Sequence, residues 1–200
     1  MTDKKLLLAT TNQGKIKELK NHLNRLSFHI FSLRNLDLNV VFPETDHTFM
    51  ENARGKGIFY SQHCEDLTLA EDSGLAIDHL NGAPGVFSSR FAGPEATDEE
   101  NIQKVLFLLE GVPWEKRQAQ FVSCMVLCER GKIIKEISEH VEGFIAPNKK
   151  GSKGFGYDPI FFYPPLNKTF AELMPEEKNA VSHRGRALTR LSSFLTEYLA

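Results

Sequence analysis

Two adjacent carboxylates follow a short apolar segment, where Glu71-Asp72-Ser73-Gly74 comes directly after Leu67–Ala70. Desolvating two neighbouring carboxylates costs on the order of several kcal/mol unless a positive group compensates for it. A divalent cation would compensate, because Mg²⁺ binds through one or two carboxylates together with substrate phosphates. Glu44 is a candidate third acid. A carboxylate beside such a metal can also accept the proton of an attacking water.

The geometry of a strand sets a condition on this interpretation. Side chains of adjacent strand residues point to opposite faces, so Glu71 and Asp72 can serve one site only if the strand ends between them. The alternative is a surface turn that carries two solvated acids. The segment alone fits both readings.

A polyphosphate substrate would also need positive groups, and Thr10-Thr11-Asn12-Gln13-Gly14-Lys15 can supply them. This segment follows an apolar run and opens a helix. Backbone N–H groups at a helix N-terminus, together with a lysine, form an anion-binding site. The chain contains no Walker A pattern. An ordinary helix cap remains the alternative for this turn.

A second basic segment lies near the C-terminus. Lys178, Ser182 and Arg186 are spaced at four, which would place them on one helical face, with His183 and Arg184 beside it. Most charged helical faces are simply solvated, so this segment indicates a binding site only in combination with the other segments.

An aromatic residue between glycines completes the set, in Lys153-Gly154-Phe155-Gly156-Tyr157-Asp158-Pro159. The glycines let the backbone approach a flat ligand on which the Phe155 ring can stack. Asp158 could accept a hydrogen bond from the edge of a base. The alternative is a glycine-flanked turn with an aromatic side chain in the core.

The composition argues against several classes of protein. The 200 residues are 41% hydrophobic with a formal net charge of −2, which disfavours a general nucleic-acid or polybasic membrane binder. No apolar run reaches the roughly 20 residues of a membrane span, and the N-terminus lacks a secretory signal. We therefore expect a soluble, cytoplasmic protein. Cys64, Cys124 and Cys128 are interpreted as small apolar side chains because no zinc spacing accompanies them.

The elements that must position these residues follow from periodicity and capping signals. Strands are predicted at Leu6–Thr10, Phe28–Leu33, Leu67–Glu71, Gln118–Cys128, Lys132–Val141 and Ile160–Tyr163. Helices are predicted around Ile16–Leu26, from Thr48 to about Gln62, from Thr97 to about Leu109, and from about Pro175 onward. Gly57 inside the second helix predicts close approach of another part of the chain. The order indicates one α/β domain with a mixed sheet.

Taken together, these blocks resemble the inosine/xanthosine triphosphate pyrophosphatase family, whose members hydrolyse non-standard purine nucleoside triphosphates. The matching segments run nearly from end to end, and they are Leu8–Lys15, Glu44-Thr45, Thr48–Ala53 with Lys56, Glu71–Asp78, Gly82–Val86 with Ser89-Arg90-Phe91, Gly154–Phe161, Ala171-Glu172-Leu173, Glu177-Lys178-Asn179 and Ser182-His183-Arg184.

The resemblance implies an elongated mixed sheet with flanking helices, two lobes around a nucleotide-binding cleft, and a homodimer. It implies Mg²⁺-dependent cleavage of ITP, dITP and XTP to the nucleoside monophosphate and pyrophosphate. Asp72 would be the catalytic proton acceptor and, with Glu44, a metal ligand. The substrate-binding residues carried over are Thr10, Thr11, Asn12, Gln13, Gly14, Lys15, Lys56, Ser73, Phe155, Gly156, Tyr157, Asp158, Lys178, His183 and Arg184.

Among these residues, Phe155 would stack on the purine. Asp158, Lys178, His183 and Arg184 would read its edge. A donor-lined pocket rejects the 6-amino group of adenine because donor then faces donor.

Four positions depart from the usual family pattern: Thr11 for glycine or serine, Glu71 for aspartate, Lys153 for glycine and Gly57 for alanine. None of them removes a functional group. Two other activities stay open, namely a nucleotide sensor that has lost catalysis and an enzyme for modified pyrimidine triphosphates. The retained acidic pair argues against the first, and the Phe155 and His183-Arg184 blocks argue against the second.

Overall fold

The computed structural model describes residues 4–26, 28–36 and 42–198. Within these residues the strands are β1 (Lys4–Leu8), β2 (Phe28–Ser32), β3 (Leu67–Ile77), β4 (Gln118–Glu129), β5 (Lys132–Ile145), β6 (Phe161–Tyr163) and β7 (Lys168–Thr169). The α-helices are α1 (Gln13–Leu23), α2 (Phe49–Ser61), α3 (Asp98–Leu108), α4 (Pro175–Val181) and α5 (His183–Tyr198). No helix in the described part of the chain is long and apolar enough to cross a membrane.

The strands form one sheet in the order β2-β1-β3-β4-β5-β6-β7. Strand β1 pairs in parallel with both β2 and β3, whereas β6 pairs antiparallel with both β5 and β7. Parallel neighbours need a crossover connection, and α1 and α2 lie in the chain at these two crossovers. The predicted α/β class with a mixed sheet is confirmed.

The chain divides into two compact units. Unit 1 contains Met1–Asp72, Ser123–Glu139 and Arg184–Ala200, and unit 2 contains Ser73–Val122 and His140–His183. Each unit has an apolar core of its own. The core of unit 1 includes Leu6, Leu8, Leu19, Leu23, Leu69, Met125, Leu188 and Leu191. The core of unit 2 includes Leu75, Ile77, Val105, Phe121, Ile145, Phe161 and Phe170.

Strand β3 corrects one prediction. The sequence predicts that this strand ends near Glu71, but the strand continues through Asp72 to Ile77. The reason lies in the residues that follow, because Leu75 and Ile77 are both fully buried and keep the segment inside the sheet. Glu71 and Asp72 therefore lie within a continuous strand and do not share one face.

The C-terminal helix corrects a second prediction. The expected single helix is broken at Ser182, whose backbone is extended with φ −72° and ψ 158°. Serine is preferred immediately before a helix because its side chain can cap the first N–H groups. Helix α4 therefore ends at Val181, and α5 begins at His183. Lys178, Ser182 and Arg186 do not form the single helical face that their spacing suggested.

The close approach that Gly57 predicted is present between α2 and the sheet. A Cβ atom at this position would lie 2.9 Å from the Cys128 sulfur and 3.5 Å from the Ala70 Cβ. Cys128 is fully buried, and burial raises the pKa of its thiol to about 11, as expected for a packing residue.

We expect Gly57→Ala to lower the free energy of unfolding by about 1 kcal/mol. Overpacking costs about 1–3 kcal/mol, which outweighs the gain of about 1 kcal/mol from the better helix former. In a Cys128→Ala background the clash is gone, and the same substitution is expected to stabilise the protein. Urea denaturation of the parent protein, the two single variants and the double variant measures both effects, and equal effects of Gly57→Ala in the two backgrounds would contradict this account.

Candidate active site

Glu71 is fully committed to partners inside unit 1. Its carboxylate accepts hydrogen bonds from the Ser123 hydroxyl at 2.8 Å and from Arg184 Nε at 2.8 Å and 3.1 Å. Arg184 also pairs with Glu18. Burial alone would raise the pKa of Glu71, but Arg184 and Lys15 outweigh burial and hold that pKa below its usual value. Glu71 is therefore a buried, ionised partner of an arginine.

Asp72 has a different environment, although it is the next residue. Its Oδ2 atom accepts a hydrogen bond of 3.0 Å from Asn52 Nδ2, and only 6% of the residue is exposed. Burial raises the pKa of Asp72, and the nearby charge of Glu44 raises it further, against the opposing effects of Lys15 and Lys56. Of the two acids, Asp72 is thus the one whose basicity is increased, as a proton acceptor requires.

Glu44 and Lys56 form an ion pair in the same unit. Lys56 is buried on α2, and its ammonium also donates to the Glu71 carbonyl at 3.3 Å. This hydrogen bond holds the lysine against β3, the strand that carries Asp72. Lys56 is therefore placed near both candidate metal ligands, as a phosphate-gripping residue would need to be.

A hard divalent cation fits the side chains present. The like charge of Glu44 contributes to the raised pKa of Asp72, and a cation held between two such carboxylates would relieve this repulsion. Among residues 4–26, 28–36 and 42–198 there is no group of three or more His, Cys, Asp and Glu side chains arranged for a metal. Two carboxylates completed by substrate phosphates match the way that proteins usually hold Mg²⁺.

Helix α1 begins at the polar turn that follows β1, as the sequence predicted. Asn12 is the N-cap, and its side chain accepts a hydrogen bond of 3.0 Å from the Lys15 N–H. Thr10 Oγ1 accepts from the Asn12 N–H at 3.2 Å, and Gln13 Nε2 donates to the Thr11 carbonyl at 3.0 Å. The first turn of α1 contains no acidic residue, so its positive end is not neutralised locally.

Lys15 connects this turn to the acids. Burial lowers the pKa of Lys15, and the charges of Glu71 and Asp72 oppose this decrease. The ammonium therefore lies within electrostatic reach of both carboxylates. Gly14 beside it is half-buried, whereas Thr11, Asn12 and Gln13 are exposed to solvent.

A second group of predicted residues lies in unit 2, around a buried ion pair. Lys178 Nζ contacts Asp158 Oδ2 at 2.5 Å and lies 5.0 Å from the centre of the Phe155 ring. Asp158 Oδ2 also accepts from the Phe155 N–H at 3.0 Å. The ring is thus fixed at its backbone by the carboxylate and faces the ammonium.

Glycine is required at position 154 for this arrangement. Gly154 has φ +77°, and a Cβ atom there would lie 1.9 Å from Asp158 Oδ2. The glycines on either side of Phe155 were predicted to let the backbone approach a ligand. The structure adds a second reason for this one, since Gly154 leaves room for the carboxylate that holds Phe155.

Three more predicted residues of unit 2, namely Gly156, Tyr157 and His183, have structural partners. Tyr157 is buried and donates its hydroxyl to the Ser88 carbonyl at 2.8 Å, and burial raises the pKa of Tyr157. Gly156 N–H donates to Asp98 at 2.7 Å. The His183 ring stacks on Phe121 with centroids 4.8 Å apart.

The predicted site residues therefore fall into two sets, one in each unit. Unit 1 holds Thr10, Thr11, Asn12, Gln13, Gly14, Lys15, Glu44, Lys56, Asp72 and Arg184. Unit 2 holds Ser73, Phe155, Gly156, Tyr157, Asp158, Lys178 and His183. Sequence reasoning gave no role to Asn52, although it lies in a quoted motif. The sequence feature that could have identified Asn52 is a polar residue directly after the capping Glu51, at a position of α2 that is buried.

This chain is similar to known proteins over nearly its whole length. The model of the Ham1 family matches residues 6–194. A dITP/XTP pyrophosphatase from Thermoanaerobacter pseudethanolicus is 42% identical over 195 residues, covering 98% of each protein. The dITP/XTP pyrophosphatase of Bacillus subtilis is 43% identical over 192 residues, covering 96% of this chain and 97% of that protein. The solved structure of a HAM1 protein from Coxiella burnetii has a TM-score of 0.86 at 43% identity, covering 97% and 99%.

Proposed function

The chain belongs to the Ham1 family, and on that premise we propose that it hydrolyses dITP, ITP and XTP to the nucleoside monophosphate and pyrophosphate. The observation that carries this proposal is Asp72, a buried carboxylate of raised pKa beside Glu44, Lys56 and Lys15. The names of the relatives, dITP/XTP pyrophosphatase, supply the substrate class. This reaction would remove non-standard purine triphosphates from the nucleotide pool.

We assign Mg²⁺ to Asp72 and Glu44. When bound, the cation would supply positive charge to the phosphate oxygens on which charge develops. Glu71 is not part of this assignment, because its carboxylate is engaged by Arg184 and Ser123. The departure from aspartate to glutamate at this position therefore concerns the ion pair with Arg184.

Residues of unit 1 bind the triphosphate in this mechanism. The N–H groups at the start of α1 and the ammonium groups of Lys15 and Lys56 hold the phosphate oxygens. Asp72 accepts the proton from the water that attacks phosphorus, and its raised pKa makes it a stronger base than an exposed aspartate. Ser73 follows Asp72 in β3 and is assigned to substrate contact next to the base.

Residues of unit 2 bind the purine. Phe155 provides the stacking surface, with Gly156 and Tyr157 in the supporting turn. The Lys178 ammonium is a donor fixed by Asp158, and a donor suits a 6-oxo group but not a 6-amino group. His183 of unit 2 is assigned to the same edge, and Arg184, which belongs to unit 1, is the remaining residue proposed for that role. In the structure, Arg184 Nε and Nη1 contact Glu71 and Glu18.

The test is product analysis with purified enzyme on dITP, ITP, XTP, GTP, ATP and dUTP, with and without Mg²⁺. We expect Mg²⁺-dependent pyrophosphate release from the first three, and at least about 100-fold lower kcat/KM for ATP, as polar mismatch in a donor-lined site predicts. Release of orthophosphate would indicate a γ-phosphatase and overturn the proposal. Preference for dUTP would indicate a pyrimidine enzyme, and binding without turnover would indicate a sensor.

Three further expectations stay predictions: a homodimer, a cytoplasmic location, and one nucleotide cleft serving the 200-residue domain. Light scattering on the purified protein measures the first directly.

A further inference from the structure

Two asparagines occupy the same position in two different helices. Asn52 in α2 and Asn101 in α3 each follow a Thr-x-x-Glu segment in which the threonine caps the helix. Both side chains are buried, with 0% and 2% of the residue exposed. An amide buried in the first turns of a helix must find partners outside the helix ladder, so these partners indicate what each residue does.

The Asn101 amide binds the main chain of the segment before its helix. Its Oδ1 accepts from the Ala92 N–H at 2.8 Å, and its Nδ2 donates to the Ser89 carbonyl at 3.2 Å. These contacts fasten the 89–92 segment to α3. The role of this residue is therefore structural.

The Asn52 amide makes the same kind of contact and one more. Its Oδ1 accepts from the Asp46 N–H at 3.1 Å, and its Nδ2 lies 3.4 Å from the Asp46 carbonyl. Because a backbone N–H can only donate, Oδ1 must face Asp46, and the donor Nδ2 is left to face Asp72 Oδ2 at 3.0 Å. The orientation of the amide is thus determined by its surroundings.

This extra contact joins two elements that carry acids. Asp72 lies on β3, and Asp46 is two residues from Glu44 in the segment before α2. One amide therefore fixes the rotamer of Asp72 and the path of the backbone near Glu44. Groups that orient metal-binding carboxylates in this way affect metal affinity and rate without touching the metal.

We propose that Asn52 is a positioning residue, which holds Asp72 in a fixed orientation relative to Glu44 for cation binding and proton transfer. This inference rests on the function proposed above. It separates Asn52 from Asn101, which shares its helix position, its burial and its contacts with the main chain. The chain therefore supplies its own matched control.

The experiment compares Asn52→Ala with Asn101→Ala in the full-length protein. Both variants lose a loop anchor, and both are expected to show a lower Tm. Only Asn52→Ala is expected to lose about 10- to 100-fold in kcat for dITP, with KM changed by less than about 3-fold, because substrate contacts remain. Calorimetric titration with Mn²⁺ alone is expected to show a Kd weakened about 10-fold or more for Asn52→Ala and unchanged for Asn101→Ala.

A second variant separates the anchor from the donor. Asn52→Asp keeps an acceptor for the Asp46 N–H but presents no amide donor to Asp72, so its kcat is expected to fall as far as that of Asn52→Ala. Equal kcat and Mn²⁺ affinity in Asn52→Ala and Asn101→Ala would overturn the proposal, as would absence of Mn²⁺ binding in the unmodified protein. If the unmodified protein released no pyrophosphate from dITP, the proposed function would fall, whereas the Mn²⁺ comparison would still decide the role of Asn52.

Discussion

Replacing Asp72 with asparagine is expected to reduce kcat for dITP by about 10³-fold while leaving the fold intact. The substitution keeps the shape of the side chain but removes the proton acceptor and one of two carboxylates assigned to the cation. Loss of general base catalysis alone accounts for about 10²–10⁴-fold. The initial rate of pyrophosphate release from dITP, with saturating Mg²⁺, measures the effect.

Stability provides the internal check on this result. Burial raises the pKa of Asp72, which means that the folded protein disfavours its charge. A neutral amide is therefore expected to leave the Tm unchanged or to raise it. Asp78→Asn, at an exposed aspartate just after β3, is the matched control and should keep full activity. Normal turnover by Asp72→Asn would exclude Asp72 as the base, even if the substrate class were right.

The second large effect concerns stability and involves the neighbouring acid. Glu71→Gln is expected to lower the free energy of unfolding by about 3 kcal/mol, because it removes the counter-charge of a buried arginine. The value is at the lower end for such pairs, since Glu18 still contacts Arg184. Urea denaturation without nucleotide measures it.

The exposed pair between Arg54 and Glu136 supplies the control. Its geometry is similar, with Nε–Oε1 at 2.7 Å, but the side chains are 46% and 31% exposed. Glu136→Gln is therefore expected to cost less than about 1 kcal/mol. Similar losses for Glu71→Gln and Glu136→Gln would show that burial does not decide the strength of the Glu71–Arg184 pair.

The pH dependence of this difference has a defined sign. The pKa of Glu71 is held below its ordinary value of 4.5 in the folded protein, so the unfolded chain binds a proton first as the pH falls. The stabilisation from Glu71 is fully present above pH 4.5 and is lost as the pH falls below it. The difference in the free energy of unfolding between the parent protein and Glu71→Gln should therefore decrease as the pH falls below 4.5.

Local patterns predicted most of the fold. Helical spacing of Ile16, Leu19 and Leu23 identified α1, and threonine caps identified the starts of α2 and α3. Both errors arose where local signals were outweighed by burial or by a single backbone angle. Acidic residues suggested the end of β3, and uninterrupted periodicity suggested one C-terminal helix where Ser182 breaks it.

The candidate site was predictable as residue types but not as contacts. Glu71 and Arg184 are 113 positions apart in the chain, and no spacing rule connects them. The sequence could not show that one of two adjacent acids is bound to an arginine while the other receives an amide. The role of Asn52 was hidden for the same reason, since its partner lies 20 residues away on another element.

The glycine at position 154 restricts how the nucleotide preference of this protein could be redesigned. Its φ of +77° is strained for any other residue, and a Cβ atom at this position would lie only 1.9 Å from the Asp158 carboxylate, so a substitution here would displace that carboxylate. Mutant libraries aimed at a different base should therefore keep residue 154 fixed and vary Lys153 and Phe155 on either side. Diversity introduced at the glycine itself would mostly yield proteins whose stacking ring has lost its anchor.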